Sequence, residues 1–277
     1  MKNPKTLSHA LELLGQEDKK WTPFAGGTDL MVLFENGKLS EGNFLNLWDL
    51  SELRKIVLDD KYLTFGALTT YSEIRKHVIF NKSFKMMVDA SRLSGAIAIQ
   101  NRGTIGGNIC NASPAADTPP ALLCYDAEIE LKSHTNSRWI KYCDFHSGYK
   151  QMDLEPNELL TKIRIPLETR RFKEYYHKVG TRSAQAISKV CFAGKVITNH
   201  GTIEDIRLAW GSMAPAPTRT TTVEKFLIGK SLSPSIIRDS LSELKEELAP
   251  ISDIRSTDRY RMKVAQNLLK HFLESAL

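Results

Sequence analysis

Two glycine-rich segments of the chain carry the residue types and spacing best suited to binding phosphate groups. The first comprises Phe24, Ala25, Gly26, Gly27, Thr28, Asp29 and Leu30, and the second comprises Gly103, Thr104, Ile105, Gly106, Gly107 and Asn108. Paired glycines permit positive φ and let the backbone approach a ligand without a Cβ in between. Successive exposed N–H groups form an anion-binding nest, and a helix that begins after the first segment adds donors. Together, the two segments could clamp both phosphates of a pyrophosphate.

Neither segment fits the common nucleotide-binding templates. Neither has the spacing G-x-G-x-x-G, and no Rossmann acidic residue stands in register. The run from Gly229 to Ser231 ends like a Walker A loop, but Glu224 occupies the place of the leading glycine, so a helix C-cap is favoured there. The residues therefore argue against Rossmann and triphosphate chemistry. They leave open whether each glycine segment is a phosphate clamp or only a tight turn.

The elements that must position these segments follow from hydrophobic spacing and turn residues. Strands are predicted at 21–25, 56–58, 62–65, 127–131, 159–165, 175–179, 190–198 and 203–210. Helices are predicted at 7–14, 29–34, 72–77, 83–93, 118–123, 223–227, 234–248 and 257–273. The first glycine segment then joins a strand to a helix, while residues 103–107 are predicted to be a glycine-dense turn.

The order of these elements predicts an α+β fold rather than a regular βαβ series. After Pro166 the chain becomes polar and basic over residues 167–173, as in a linker. We therefore expect one domain over 1–170, with subdomains of about 1–55 and 56–170. A smaller α+β domain over 171–277 is expected to contain a three-stranded sheet followed by helices.

Composition narrows the possible functions. The 277 residues are 42% hydrophobic and 25% charged, which is ordinary for a folded protein and argues against disorder. The net charge of +6 is scattered without interleaved aromatics, so we expect no nucleic-acid partner. None of the four cysteines has CxxC spacing, so no metal or iron–sulfur site is expected in this chain. Without an export signal or a long apolar run, we expect a cytoplasmic protein with no membrane association.

The second glycine segment lies in a longer run that is specific enough to suggest a family. The sequences AGGTDL at 25–30, NRGTIGGN at 101–108 and ASPAAD at 112–117 resemble the FAD-binding (medium) subunit of the molybdenum hydroxylases. That family includes xanthine dehydrogenase, aldehyde oxidases and aerobic carbon monoxide dehydrogenase. Residues 178–190, 210–219 and 260–261 also fit, so the resemblance covers nearly the whole chain. It implies a two-part FAD-binding domain of the PCMH type, like that of vanillyl-alcohol oxidase, followed by a C-terminal flavoprotein domain.

The resemblance also implies roles for particular residues. Residues 24–30 would line the FAD pyrophosphate and flavin side, and residues 104–108 would form the second phosphate clamp. Asp117 would bind ribose or ribityl hydroxyls, Leu160 would pack near the flavin or adenine, and Lys178 would lie at the isoalloxazine. Without the family, Asp117 could equally be a loop acid or helix cap, Leu160 simple core and Lys178 a surface lysine. The aromatic residue that the family has ahead of the second segment is absent from residues 93–99.

The implied function is electron transfer within an oxidoreductase complex. A large partner subunit would hold the molybdenum cofactor, and a small partner with two [2Fe–2S] clusters would relay electrons to FAD on this chain. Xanthine dehydrogenase-like purine oxidation with NAD⁺ as acceptor is the expected activity, and a heterotrimer is the expected assembly. Carbon monoxide, aldehyde or nicotinate dehydrogenases remain alternatives, as do a stand-alone flavin oxidase or reductase and a basic binding module. No catalytic acid–base residue is predicted in this chain, because the flavin would supply the chemistry.

Overall fold

The computed structural model describes residues 1–16, 18–39 and 42–277, which form a mixed helix-and-sheet architecture. The described helices are α1 (Leu7–Leu14), α2 (Leu30–Glu35), α3 (Tyr71–Lys76), α4 (Val78–Ser83), α5 (Lys85–Leu93), α6 (Ile97–Arg102), α7 (Ile105–Cys110), α8 (Pro119–Cys124), α9 (Thr221–Leu227), α10 (Pro234–Glu247) and α11 (Asp258–Ser275). Single 3₁₀ turns lie at Ser51–Leu53 and Tyr142–Asp144.

The strands belong to four sheets. They are β1 (Trp21–Phe24), β2 (Asn43–Asn46), β3 (Ile56–Leu58), β4 (Tyr62–Gly66), β5 (Glu128–Lys132), β6 (Ser137–Lys141), β7 (His146–Gly148), β8 (Gln151–Met152), β9 (Leu159–Pro166), β10 (Lys173–Val179), β11 (Val190–Asn199), β12 (Thr202–Gly211) and β13 (Thr218–Arg219). The sheet orders are β1-β2, β3-β4-β9-β5-β6, β7-β8 and β10-β11-β12-β13.

The N-terminal part is a small parallel pair, β1 and β2, packed against α1. Thr6 caps α1 by accepting a hydrogen bond from the His9 N–H, and Leu11 and Leu14 bury the inner face of the helix. Both pack in a cluster with Leu45 on β2. This arrangement fixes the end of β1, where the first glycine segment begins.

The central five-stranded sheet is entirely antiparallel, and its inner face carries the main core. Residues on β9 alternate between buried and half-exposed toward its C-terminal end, as expected for a strand with one face on the core. Phe65, Ile129 and Ile163 are fully buried on neighbouring strands. Helices α5, α7 and α8 contribute to the same apolar cluster, so the second glycine segment is attached directly to this core.

The C-terminal sheet packs one face against α11 and is joined to the central part by α8. Phe192 on β11 stacks near Trp210 on β12 and Phe272 on α11. On the other side, the Cys124 thiol lies 3.2 Å from the carbonyl oxygen of Ala193. Strand β10 forms one edge of the C-terminal sheet. Lys178 on β10 therefore lies close to the residues that follow the second glycine segment in the sequence.

Several elements differ from the sequence prediction. The two-residue strand β13 extends the predicted three-stranded sheet to four strands. Strands β2 and β6 and the β7–β8 hairpin were not predicted. Residues 103–107 are not a free turn, because α7 begins at Ile105, with Thr104 as its N-cap. No helix in the described ranges is long and apolar enough to cross a bilayer.

Candidate cofactor-binding site

The two glycine segments touch one another. The nearest neighbour of the Gly26 backbone is Arg102 at the end of α6: an ideal Cβ on Gly26 would lie 1.8 Å from the Arg102 carbonyl oxygen and 3.3 Å from the Gly103 nitrogen. Only glycine fits such a contact. Both segments therefore face a common cleft, as a two-sided clamp requires.

One side of this cleft is a cavity of about 480 Å³, here called the leucine cavity. Its apolar wall is formed by the side chains of Leu30, Leu47, Leu53, Leu68, Leu159 and Leu160. Ala25, Gly26, Gly27, Thr28, Asp29, Thr104, Gly106, Gly107 and Asn108 also line it. Its size and mixture of apolar wall and polar loop are typical of small-molecule sites.

The other side is a cavity of about 940 Å³, here called the Asp117 cavity. It lies between the central part and the C-terminal domain, and it is lined by Asp117, Ser188 and Ser212 among other polar residues. Thr28, Asp29, Tyr71, Ile99, Asn108 and Asn111 line both cavities. The two cavities thus form one continuous cleft with the glycine segments at its middle.

The first glycine segment offers unpaired backbone donors to this cleft. Within residues 1–16, 18–39 and 42–277, no acceptor is recorded for the N–H groups of residues 26–30; the first paired amide is that of Met31, which donates to the Gly27 carbonyl. Gly27 has φ +76°, and its backbone packs under the ring of Phe24. Exposed donors in a row make a suitable site for an anion.

The second glycine segment differs from the prediction, because its N–H groups are already used. Ile105 and Gly106 donate to the carbonyl oxygens of Thr69 and Ala67, at 3.0 and 2.8 Å. Gly107 donates to the Thr104 hydroxyl at 3.1 Å. These N–H groups therefore cap α7 or bond to residues 67 and 69 after β4, and they do not form the predicted second anion-binding nest. This segment lines the cleft with Thr104, Gly106, Gly107 and Asn108.

Asp117 forms the centre of a buried polar cluster. Its carboxylate accepts hydrogen bonds from Lys178 Nζ at 2.7 Å, Ser188 Oγ at 2.6 Å and Ser94 Oγ at 3.3 Å. Burial raises the pKa of the Asp117 carboxyl, and the Lys178 ammonium and the two hydroxyls oppose that rise. Lys178 Nζ also donates to the Leu93 carbonyl oxygen at 2.9 Å. The ion pair between Lys178 and Asp117 thus holds the Asp117 carboxylate at the wall of the Asp117 cavity.

A hairpin formed by β7 and β8 reaches over the cleft from the central sheet. Near its start, the His146 imidazole lies 3.0 Å from the carbonyl oxygen of Ile109 on α7. At its turn, Lys150 Nζ donates to the backbone carbonyl of Asn111 and, at 2.7 Å, to the Asn111 side-chain oxygen. The Asn111 amide in turn donates to Asp29 Oδ1 at 3.1 Å. The hairpin, α7 and the first glycine segment are thus joined by side chains.

The structure brings most of the predicted site residues to the cleft. Eleven of them line the leucine cavity: Ala25, Gly26, Gly27, Thr28, Asp29, Leu30, Thr104, Gly106, Gly107, Asn108 and Leu160. Asp117 lines the other cavity. Phe24, Ile105 and Lys178 line neither: Phe24 supports Gly27, the Ile105 side chain is fully buried in the core, and the Lys178 ammonium is directed to Asp117.

Sequence reasoning missed other residues of the cleft. Tyr71 and Asn111 line both cavities, and Lys150 lies at the rim of one. Asn111 stood within the family-like run, which was a usable signal. Tyr71 and Lys150 had none, because each reaches the cleft only through the packing of α3 and of an unpredicted hairpin.

The cleft fits FAD on three observations of the structure. Residues 26–30, whose N–H groups have no recorded acceptor, line its middle, which suits a diphosphate. An ideal Cβ on Gly107 would meet only the Thr104 hydroxyl, at 2.9 Å, so the remaining space beside this residue is open to a ligand. Two cavities of different size extend to either side, and the larger one contains the buried Asp117 cluster, which matches the two unequal halves of a dinucleotide.

Known proteins agree with this assignment over the whole chain. Residues 1–168 match the family described as "FAD binding domain in molybdopterin dehydrogenase", and residues 174–276 match "CO dehydrogenase flavoprotein C-terminal domain". The glyceraldehyde dehydrogenase medium chain of Sulfolobus acidocaldarius is 36% identical over 98% of this chain and 96% of that protein. The putative xanthine dehydrogenase FAD-binding subunit of Escherichia coli K12 is 27% identical over 98% of this chain and 94% of that protein.

The fold agrees as well. Carbon monoxide dehydrogenase from Hydrogenophaga pseudoflava superposes with a TM-score of 0.93 at 24% identity, over 99% of this chain and 95% of that one. The reconstituted enzyme from Oligotropha carboxidovorans gives 0.92 at 26% identity, over 99% of this chain and 96% of that one. The site geometry, the family matches and the fold lead to one conclusion: the chain belongs to the FAD-binding medium subunits of the molybdenum hydroxylase family.

Proposed function

We propose that this chain holds FAD across the leucine cavity and the Asp117 cavity and acts as the electron-transfer subunit of a molybdenum hydroxylase. The observation that carries the proposal is the row of N–H groups at residues 26–30 without a recorded acceptor, in a cleft that extends into two cavities of different size. Bound FAD supplies the electron-carrying chemistry, so the protein's task is to bind it, orient it and set its surroundings.

Every predicted site residue except Ala25 takes a defined part in this proposal. The N–H groups of residues 26–30 bind the diphosphate, while Thr104, Gly106, Gly107 and Asn108 form the opposite wall. Leu160 and its apolar neighbours hold the adenine. Asp117 faces the ribityl–flavin half, and Lys178 keeps its carboxylate in place. Phe24 and Ile105 act through the backbone, by supporting Gly27 and by fixing the start of α7.

The proposal extends to the partners and to the electron acceptor. The chain receives electrons from the [2Fe–2S] clusters of a small subunit, which take them from a large subunit with the molybdenum cofactor, and NAD⁺ is the final acceptor. The support is that both relatives named above are called a medium chain or an FAD-binding subunit, and this chain spans 96% and 94% of their lengths. Such full coverage favours a subunit over a stand-alone flavin oxidase or reductase.

The large partner subunit, which would hold the molybdenum cofactor, sets the substrate. Two substrate classes, purines and aldehydes, are the candidates. Purine oxidation is supported by the E. coli relative at 27% identity. An aldehyde is supported by the S. acidocaldarius relative at 36% identity. The higher identity favours an aldehyde dehydrogenase over the xanthine dehydrogenase expected from the sequence.

Two further proposals concern the chain as a whole. We propose a division near residue 170, supported by separate apolar clusters around β9 and around β11, β12 and α11. We also propose a cytoplasmic location, supported by the fact that Cys110, Cys124, Cys143 and Cys191 are all free thiols.

The test uses the chain purified together with its partner subunits. Glyceraldehyde and xanthine are supplied in parallel, each with NAD⁺ or with an artificial electron acceptor, and product formation is measured. We expect FAD to copurify and glyceraldehyde to be oxidised faster than xanthine, with NADH formed. Oxidation of xanthine alone would reverse the substrate assignment. Oxidation only with the artificial acceptor would contradict NAD⁺ as the acceptor. A preparation that neither contains nor binds FAD would contradict the proposed function itself.

A further inference from the structure

The cleft has little positive charge for a ligand that carries a diphosphate. Among the described residues, the lysine and arginine side chains that line either cavity are Lys150, Arg255 and Arg261, all in the Asp117 cavity. The two arginines share one carboxylate: Asp253 lies 2.8 Å from Arg261 and 3.8 Å from Arg255. Asp253 therefore offsets one of these two charges, and Arg261 also donates to the carbonyl oxygens of Lys189 and Ser212. Lys150 is the cation at the rim whose recorded contacts are all to neutral groups.

Lys150 also lies beside the part of the cleft where the diphosphate is proposed to bind. Its ammonium contacts Asn111, and Asn111 contacts Asp29. Asn111 and Asp29 line both cavities, and Asp29 belongs to the segment with open N–H groups. Asp29 itself adds a negative charge there. A bound diphosphate would thus bring two further negative charges next to a carboxylate, and a nearby cation would reduce their repulsion.

The backbone at Lys150 is unusual for a lysine. Its φ is +56°, a conformation in which glycine or asparagine is strongly favoured. The hairpin turn does not need a long side chain for its own geometry, since a glycine would relieve the strain. Strained backbone of this kind is concentrated at functional sites. Together with the two anchors of the hairpin on residues 109 and 111, it indicates that the turn serves to hold an ammonium group over the cleft.

We propose that Lys150 is a further cofactor-binding residue, whose ammonium neutralises the FAD diphosphate opposite the open N–H groups of residues 26–30. This inference rests on the proposed FAD site and adds an ionic contact that the glycine segments do not provide. Lysine acts here as a compact point charge, which can leave the neutral oxygens of Asn111 for phosphate oxygens. Charge-assisted hydrogen bonds of this kind are stronger than neutral ones.

The experiment compares Lys150→Met with a matched surface variant, Lys141→Met, in the full chain freed of FAD. Lys141 is an exposed lysine at the end of β6 and lines neither cavity. FAD and riboflavin, which has no phosphate, are titrated by flavin fluorescence at low and high salt. We expect Lys150→Met to weaken FAD binding about 10- to 100-fold, the effect of one hydrogen bond to a charged group, and to reduce its salt dependence. Lys150→Arg should restore most of the affinity, and Lys141→Met should match the wild type.

Riboflavin and the wild type keep the proposal testable if Lys150→Met is poorly folded. Riboflavin affinity should be the same in Lys150→Met and the wild type, and in the wild type alone salt should weaken FAD binding more than riboflavin binding. Three results would each overturn the role of Lys150. The first is equal FAD affinity in Lys150→Met and the wild type, and the second is a loss of riboflavin affinity in Lys150→Met as large as its loss of FAD affinity. The third is an equal salt dependence of FAD and riboflavin binding in the wild type. Failure of the wild type to bind FAD would instead overturn the proposed site itself.

Discussion

Gly26 packs so closely against Arg102 that an ideal Cβ on the glycine would lie 1.8 Å from the arginine's carbonyl oxygen. The Arg102 guanidinium also stacks on Trp48, at 3.7 Å from the ring centroid, and its Nε lies 3.4 Å from the Gly26 carbonyl oxygen. Two segments 76 residues apart in sequence are thus fixed to each other by backbone contact. The width of the cleft depends on this contact.

Replacing Gly26 should separate the two segments. In Gly26→Ala the new Cβ would meet backbone atoms of Arg102, which cannot rotate away, so the first segment must shift. We expect a loss of about 1–3 kcal/mol of stability, as for overpacked sites, and FAD binding at least about tenfold weaker. Gly15→Ala is the control, because its Cβ would meet its nearest neighbour at 3.5 Å. Equal FAD affinity in both variants would show that the contact does not set the cleft.

The two glycines of the second segment should respond differently to the same substitution. A Cβ on Gly106 would lie 2.6 Å from the Ala67 Cβ, within the core, whereas one on Gly107 meets only the Thr104 hydroxyl. Gly107→Val should therefore abolish FAD binding and lower the thermal unfolding temperature only by what the Thr104 cap contributes, while Gly106→Val should lower the unfolding temperature further because it overpacks the core. If Gly107→Val bound FAD like the wild type, residue 107 could not lie against the cofactor.

The ion pair between Asp117 and Lys178 should show strong coupling in stability. Both side chains are nearly buried, so removing either one leaves an uncompensated charge, which costs about 3–5 kcal/mol. Asp117→Asn and Lys178→Met should each be strongly destabilised in urea unfolding, and the double variant should lose much less than the sum of the two. Additive losses would mean that the two groups do not depend on each other.

Acid should weaken the folded state partly through His146. Burial lowers the pKa of this imidazole below its usual value of about 6.5, so the unfolded chain binds a proton first as the pH falls. The free energy of unfolding should therefore decrease as the pH drops through about 6.5, and this contribution should level off below the folded-state pKa. His177 contributes in the same direction, because burial and His271 lower its pKa.

His146→Gln separates the two contributions. Glutamine can still donate to the Ile109 carbonyl but does not titrate, so the variant should show a shallower fall in unfolding free energy between about pH 7 and pH 5. Urea unfolding at a series of pH values measures the slope. A slope identical to that of the wild type would assign the acid sensitivity to other groups.

Elements with strong local patterns were predictable from the sequence, and elements made by distant pairing were not. The helix predicted at 7–14 is α1 (Leu7–Leu14), because its apolar spacing and its cap are local. The strand β2 (Asn43–Asn46) has little apolar pattern and exists through its parallel pairing with β1. The sequence predicts a glycine-dense turn at 103–107, but the Thr104 cap and the bonds to residues 67 and 69 begin a helix at Ile105.

The candidate site was predictable where a motif carried it. The glycine segments and Leu160 were named from the sequence and line the leucine cavity. The pairing of Lys178 with Asp117 joins β10 to the loop before α8, 61 positions apart in sequence, and no local signal indicates it. Lys150 lies on a hairpin too short to produce a strand pattern, so its position at the cleft emerges only from the tertiary structure.

The central claim is that the joined cavities hold one FAD with its diphosphate on residues 26–30. Its most direct measurement is a titration of the purified, FAD-free chain with FAD, followed by flavin fluorescence, for the wild type and Gly107→Val side by side. The account predicts saturation at one FAD per wild-type chain and no measurable binding to a folded Gly107→Val chain. A wild-type chain that is folded but does not bind FAD would contradict it.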